Sequence, residues 1–162
     1  MSKLSKLSSA LALLAKIENQ EFVAQQTIDF SEVVAHNVAL FSEIAELKDL
    51  SIEADIAPAI QLNMDSALAD ILVANLLKNA IQHNVDEGWI KISLTPHQLL
   101  LENTGKPLTT TPETLFVRFR KNNQSSASLG LGLAIVKKIA DLNGLTIDYQ
   151  QEANIHRITI SL

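Results

Sequence analysis

A chain of 162 residues, 47% of them apolar, with 18 acids against 13 bases and no cysteine, is the size of one domain that buries its own core without a staple. Lacking cysteine, it forms no disulfide, zinc–cysteine site, iron–sulfur cluster or catalytic thiol. A net charge of −5 argues against nucleic acid as a partner, which needs a basic face, yet leaves open a site for one phosphorylated ligand.

Leu4, Leu7, Leu11 and Leu14 form a heptad seam, narrower than the stripe of a core helix. Two heptads are marginal alone, because isolated helices below about 12–15 residues are unstable in water. The segment reads as the end of a longer helix that pairs or frays. Glu18 to Phe22 breaks the pattern, and a polar linker runs to Ile28. Asp29 or Ser31 is placed to cap a second helix, with Val33, Val34, Leu40, Phe41, Ile44 and Leu47 on helical spacing. Ile52, Ala54 and Ile56 then alternate with polar residues as a strand that Pro58 ends, and Ile60 to Met64 is expected as its short partner. Asp65 or Ser66 opens a third helix reaching about His83.

Gly88 opens a strand with Ile90, Ile92 and Leu94 on one face, and Thr95 to Gln98 turns the chain into a second strand at Leu99 to Leu101. Asn103 to Ser128 has no clear period beyond Leu115, Phe116 and Phe119, and a loop of that length inside a domain is usually functional. Gly130 is expected to begin a fourth helix that stops at Asn143-Gly144. Two alternating strands, Leu145 to Tyr149 and Ile158 to Leu162, close the sequence. The predicted fold is an α/β (α+β) two-layer sandwich: a mixed, mostly antiparallel sheet of about five strands with three helices on one face, plus the N-terminal helix. The longest apolar run, Ala10 to Ala15, is far short of the ~20 residues that span a bilayer. No signal peptide is evident.

Three places break local rules, where function is expected. On the third helix, Asn75, Asn79 and His83 continue the stripe of Leu68 and Leu72. Two carboxamide oxygens one turn apart suit a Mg²⁺ shared with phosphates; solvated residues on an emerging stripe are the ordinary reading. Leu129-Gly130-Leu131-Gly132-Leu133 puts two glycines at a helix start, where backbone N–H groups can approach an anion; a plain hinge is the alternative. Asn103-Thr104-Gly105 ends a strand just before the long loop, as a simple turn also would. The Walker A pattern is absent.

Taken in order, these elements resemble the catalytic and ATP-binding domain of sensor histidine kinases, within the GHKL ATPase superfamily. Asn75 to His83 looks like the N box, Leu115 to Lys121 like the F box, and Gly130 to Val136 like the second glycine box. Leu4 to Phe22 is similar to the end of the second dimerisation helix. The resemblance thus divides the chain into residues 1–22, from the dimerisation helix, and residues 23–162, the catalytic and ATP-binding domain.

The resemblance implies ATP and Mg²⁺ as ligands. Asn75 and Asn79 would hold the metal, and His83 would pack on the adenine. Gly130, Leu131, Gly132 and Leu133 would meet the phosphates, with Ser128 beside them. Asn79, Arg118 and Lys121 would act in catalysis, the two cations reaching the terminal phosphate. Gly105 and Leu108 would border the nucleotide. Asn103 stands where the family usually has an aspartate that accepts from the adenine amino group. Its amide oxygen still accepts, and the lost charge implies roughly tenfold weaker binding. Asn103→Asp is expected to preserve or tighten binding. The implied partners are the chain's own dimerisation and phosphoacceptor domain and a cytoplasmic response regulator, the parent being anchored in the inner membrane with this domain in the cytoplasm. None of His36, His83, His97 and His156 precedes an acidic residue, so the chain is expected to bind MgATP without phosphorylating itself. The competing readings are another GHKL ATPase, or a degenerate pseudokinase that serves as a binding module.

Overall fold

The computed structural model describes residues 3–19, 26–106 and 131–162. Five strands form one sheet in the order β2-β4-β5-β7-β6: β2 (Ser51–Ile56), β4 (Trp89–Leu94), β5 (Gln98–Thr104), β7 (Ile155–Ser161) and β6 (Thr146–Glu152). Beside it lies an antiparallel pair, β1 (Thr27–Asp29) with β3 (Gln61–Asn63). The helices are α1 (Lys3–Glu18), α2 (Phe30–Leu47), α3 (Ser66–Gln82) and α4 (Gly132–Leu142).

The sheet alternates as its sequence predicts. Ile90, Ile92 and Leu94 of β4, Leu99 and Leu101 of β5, and Ile158 and Ile160 of β7 are all buried. Their odd-numbered or even-numbered neighbours face outward, where Arg157 bonds Glu102 across the β5–β7 ladder at 2.7 Å. Among the described strands only β2 and β4 run parallel, which requires a crossover; α3 lies within it. On the inner face α2, α3 and α4 pack in sequence, burying among others Phe41, Leu72, Leu76 and Val136.

Helix ends follow their capping chemistry. The Asp29 carboxylate accepts from the Glu32 N–H at 3.2 Å, and that of Asp65 from Ala67 and Leu68 at 2.8 and 3.1 Å, filling donors that each first turn leaves open. α4 ends at Asn143, followed by Gly144 in the left-handed region at φ 70°, a conformation glycine adopts without steric cost.

Two expectations change. The segment from Ile60 does not pair with β2 but with β1, inside the stretch expected as linker. The α2 N-terminus causes this turn: the Ser31 hydroxyl donates to the Ala57 carbonyl at 2.6 Å and accepts from the Ile60 N–H at 2.9 Å. The Phe30 N–H adds a bond to the Ile60 carbonyl. The fourth helix starts at Gly132 with Leu131 as its cap, later than the expected start at Gly130, which lies outside the described residues. A shift of this size is common at helix ends.

α1 packs against α4. Leu14 and Ile17 are buried in the same core cluster as Val136 and Ile139. Among the described residues no helix is long and apolar enough to cross a membrane.

Candidate functional site

The asparagine stripe of α3 leaves the core as it runs toward the helix end. Leu68 and Leu72 are fully buried, Asn75 and Asn79 half-buried, and His83 exposed. Asn75 has a fixed orientation. Its Nδ2 donates to the Ile71 carbonyl at 2.8 Å, so the amide oxygen points the other way. That oxygen lies 3.5 Å from where a Cβ on Gly132 would sit. The start of α4 therefore faces Asn75 across a narrow gap.

At that start the first helical bond runs from the Ile135 N–H to the Leu131 carbonyl. The N–H groups of Gly132, Leu133 and Ala134 consequently lack intrahelical acceptors, and among the described residues no side chain caps them. Here the helix dipole presents about half a positive charge. The side chains of Leu131 and Leu133 are buried, so these residues offer backbone to a ligand.

The exit of β5 meets the other end of the stripe. A Cβ on Gly105 would lie 2.8 Å from the His83 carbonyl oxygen and 2.8 Å from Cδ2 of His156. Only glycine fits a backbone clamped this closely. Asn103 is buried, and its Nδ2 donates to the Thr104 carbonyl at 2.8 Å. A carbonyl only accepts, so nitrogen must face it, and Oδ1 is the atom left for a ligand's donor.

His83 caps α3. Although exposed by area, its ring is crowded enough for desolvation to lower its pKa below the ordinary value, and His156 adds like-charge repulsion. A neutral imidazole is favoured. Among the described residues no three His, Asp or Glu side chains gather to hold a metal ion.

The predicted residues thus fall at two places along α3: Asn75, in mid-helix, with Gly132, and the His83 cap with Gly105, two residues past Asn103. Leu108, Arg118, Lys121, Ser128 and Gly130 lie outside the described residues. Sequence reasoning missed His156, which is buried and stands beside Asn103 in the β5–β7 register. A signal was available, since a histidine there interrupts the inward row it shares with Ile158 and Ile160.

The chain is similar to several known proteins. Heme sensor protein HssS of Staphylococcus saprophyticus is 29% identical over 94% of this chain, which covers 34% of that protein. Sensor histidine kinase HprS of Escherichia coli is 27% identical over 99% of the chain, which covers 37% of HprS. The chain therefore spans about a third of the length of these relatives. Among solved structures, histidine kinase AdeS of Acinetobacter baumannii superposes with a TM-score of 0.75 at 26% identity, covering 98% of this chain and 77% of that one. The catalytic domain of histidine kinase ThkA shares the fold, with a TM-score of 0.72 at 21% identity over 85% of this chain and 93% of that one. The family model for histidine kinase-, DNA gyrase B-, and HSP90-like ATPases matches residues 64–162, more than half of the sequence and all of the described site, and this chain belongs to that family.

Proposed function

We propose that the chain binds MgATP along α3 and donates its γ-phosphate to a histidine on a dimerisation domain, for relay to a response regulator. The observation that carries this reading is the Asn75 amide oxygen held toward the start of α4. A hard neutral donor and a helix start whose first N–H groups lie outside the helix's own hydrogen bonding then face the same gap. That pairing suits phosphate oxygens and a hydrated divalent cation together.

Asn75 and Asn79 would hold Mg²⁺, which when bound neutralises charge on the phosphates. Gly132, Leu133 and the Leu131 backbone would take phosphate oxygens. Eight residues on, about 12 Å along the helix axis, His83 would pack on the adenine, and Asn103 Oδ1 would accept from its amino group. Arg118 and Lys121 would supply positive charge to the terminal phosphate, with Leu108, Ser128 and Gly130 bordering the nucleotide. Residues 1–22 would belong to the dimerisation helix and 23–162 to the catalytic domain, working on the cytoplasmic side of the inner membrane.

Calorimetric titration with a non-hydrolysable ATP analogue, with and without Mg²⁺, tests the binding. Labelled ATP with a histidine-bearing dimerisation domain added in trans tests the transfer. Acid-labile, base-stable label on the added domain alone is the expected result. Label on this chain by itself, or no Mg²⁺-dependent binding, sinks the proposal.

A further inference from the structure

His156 lies beneath the Asn103–Lys106 turn with only 5% of its surface exposed. Its Nε2 sits 2.7 Å from the Lys106 carbonyl oxygen. That oxygen only accepts, so Nε2 carries the proton and donates. Nδ1 then holds a lone pair, and it lies 2.9 Å from the Tyr149 hydroxyl, which donates to it. The two rings meet edge-on, 5.9 Å apart at 82°. Both ring nitrogens are thereby used, as burial of a polar ring requires.

The same ring presses on the turn itself. A Cβ on Gly105 would stand 2.8 Å from Cδ2 and 3.0 Å from Nε2. On its other side Gly105 abuts the His83 carbonyl, and its N–H bonds the Asn154 carbonyl at 2.8 Å. The turn is therefore held between the end of α3 and the β6–β7 hairpin, and the imidazole is the side chain that ties down its far end at Lys106.

We infer that His156, kept in its Nε2–H tautomer by the Lys106 carbonyl, is a positioning residue for the nucleotide site. It fixes the backbone from Asn103 to Lys106, and so the adenine-facing amide of Asn103. This rests on the nucleotide reading above. It differs from a packing role because the donor at Nε2 matters, not the volume of the ring.

The test uses the whole chain with ADP as probe, at a temperature well below every melting midpoint. His156→Leu removes the donor and is expected to weaken ADP binding roughly tenfold. His156→Gln keeps an N–H near Nε2 and is expected to stay within about threefold of the unaltered chain. Ile160→Ala, a core change on the same strand, lowers the melting temperature and leaves ADP affinity unchanged. Nitrogen-15 NMR of the ADP-free chain should report the Nε2–H tautomer, and Tyr149→Phe, which leaves the Lys106 carbonyl as acceptor, should retain it, a readout that stands even if His156→Leu fails to fold. Unaltered affinity in His156→Leu, equal weakening in Ile160→Ala, or an Nδ1–H tautomer overturns the inference. Failure of the unaltered chain to bind ADP overturns the nucleotide reading itself, and this inference with it.

Discussion

Asn75 is tied to Ile71 one turn back along α3, its side-chain nitrogen donating to that carbonyl at 2.8 Å. The bond spends the donor and leaves the acceptor aimed at α4. Asn79 lies one turn on, half-buried on the same stripe, and is the second oxygen the metal would need. Asn79→Ala is accordingly expected to abolish the gain in nucleotide affinity that Mg²⁺ confers, a loss of roughly tenfold or more. Affinity without Mg²⁺ should barely move. Titrations in Mg²⁺ and in chelator check this, and a Mg²⁺ effect that survives would contradict the assignment.

Gly132 separates stability from binding. Among the described residues a methyl group there meets only the Asn75 amide oxygen, at an ordinary 3.5 Å. Gly132→Ala therefore fits, and it relieves up to about 1 kcal/mol of the helix cost of glycine. The methyl also occupies the gap between the open N–H groups and Asn75. The expected outcome is a higher melting temperature with roughly tenfold weaker nucleotide binding, read by thermal denaturation and calorimetry on the same samples.

Asn103→Asp sets two effects against each other. A carboxylate accepts more strongly from an adenine amino group, by about 1 kcal/mol. It also sets an acceptor where Nδ2 now donates to the Thr104 carbonyl at 2.8 Å, and a lost buried bond costs about 1–3 kcal/mol. Binding is expected to be preserved or tightened while the melting temperature falls. Complete loss of binding in a folded variant is the contrary result.

Much of this fold could be read from residue order because each helix carries its own end signals. Asp65 and His83 bound α3, and Asn143-Gly144 stops α4, as the spacing implied. The asparagine stripe was legible because polar side chains interrupt an apolar helix face. β1 was not, since three residues are too few to show a period, and β3, expected at Ile60 to Met64, was given the wrong partner because its pairing depends on the Ser31 hydroxyl. The heptad of α1 left open whether the segment pairs or frays; Leu14 of that seam, with Ile17, is buried in the core cluster that holds Val136 and Ile139. His156 escaped notice because its meaning lies in Lys106 and Tyr149, one of them 50 residues away.

Removal of residues 1–22 tests whether residues 23–162 stand alone. The deletion takes Leu14 and Ile17 out of the core, each worth at most about 1.5–3 kcal/mol of burial. The Glu18–Lys138 pair, at 3.9 Å and largely solvated, adds about 1 kcal/mol at most. The shortened chain is expected to fold, to melt at a lower temperature, and to bind nucleotide with unchanged affinity, because none of the site residues lies in α1. A loss of affinity at a temperature where it remains folded would place part of the site in the removed segment.

His83 makes stability depend on pH in a definite direction. Desolvation first, and His156 second, hold its folded pKa below the ordinary imidazole value. Between that depressed value and about 6.5 the unfolded chain binds more protons than the folded one. Stability therefore rises with pH across this window and is lost as pH falls through it. His83→Gln removes the titration, so its denaturation midpoint should drop less than that of the unaltered chain between about pH 7.5 and 5.5. The difference will be small because the ring is exposed and solvent screens its charge. Urea titrations at the two pH values measure it, and a variant whose midpoint falls as steeply as the parent's would show that His83 does not carry the dependence.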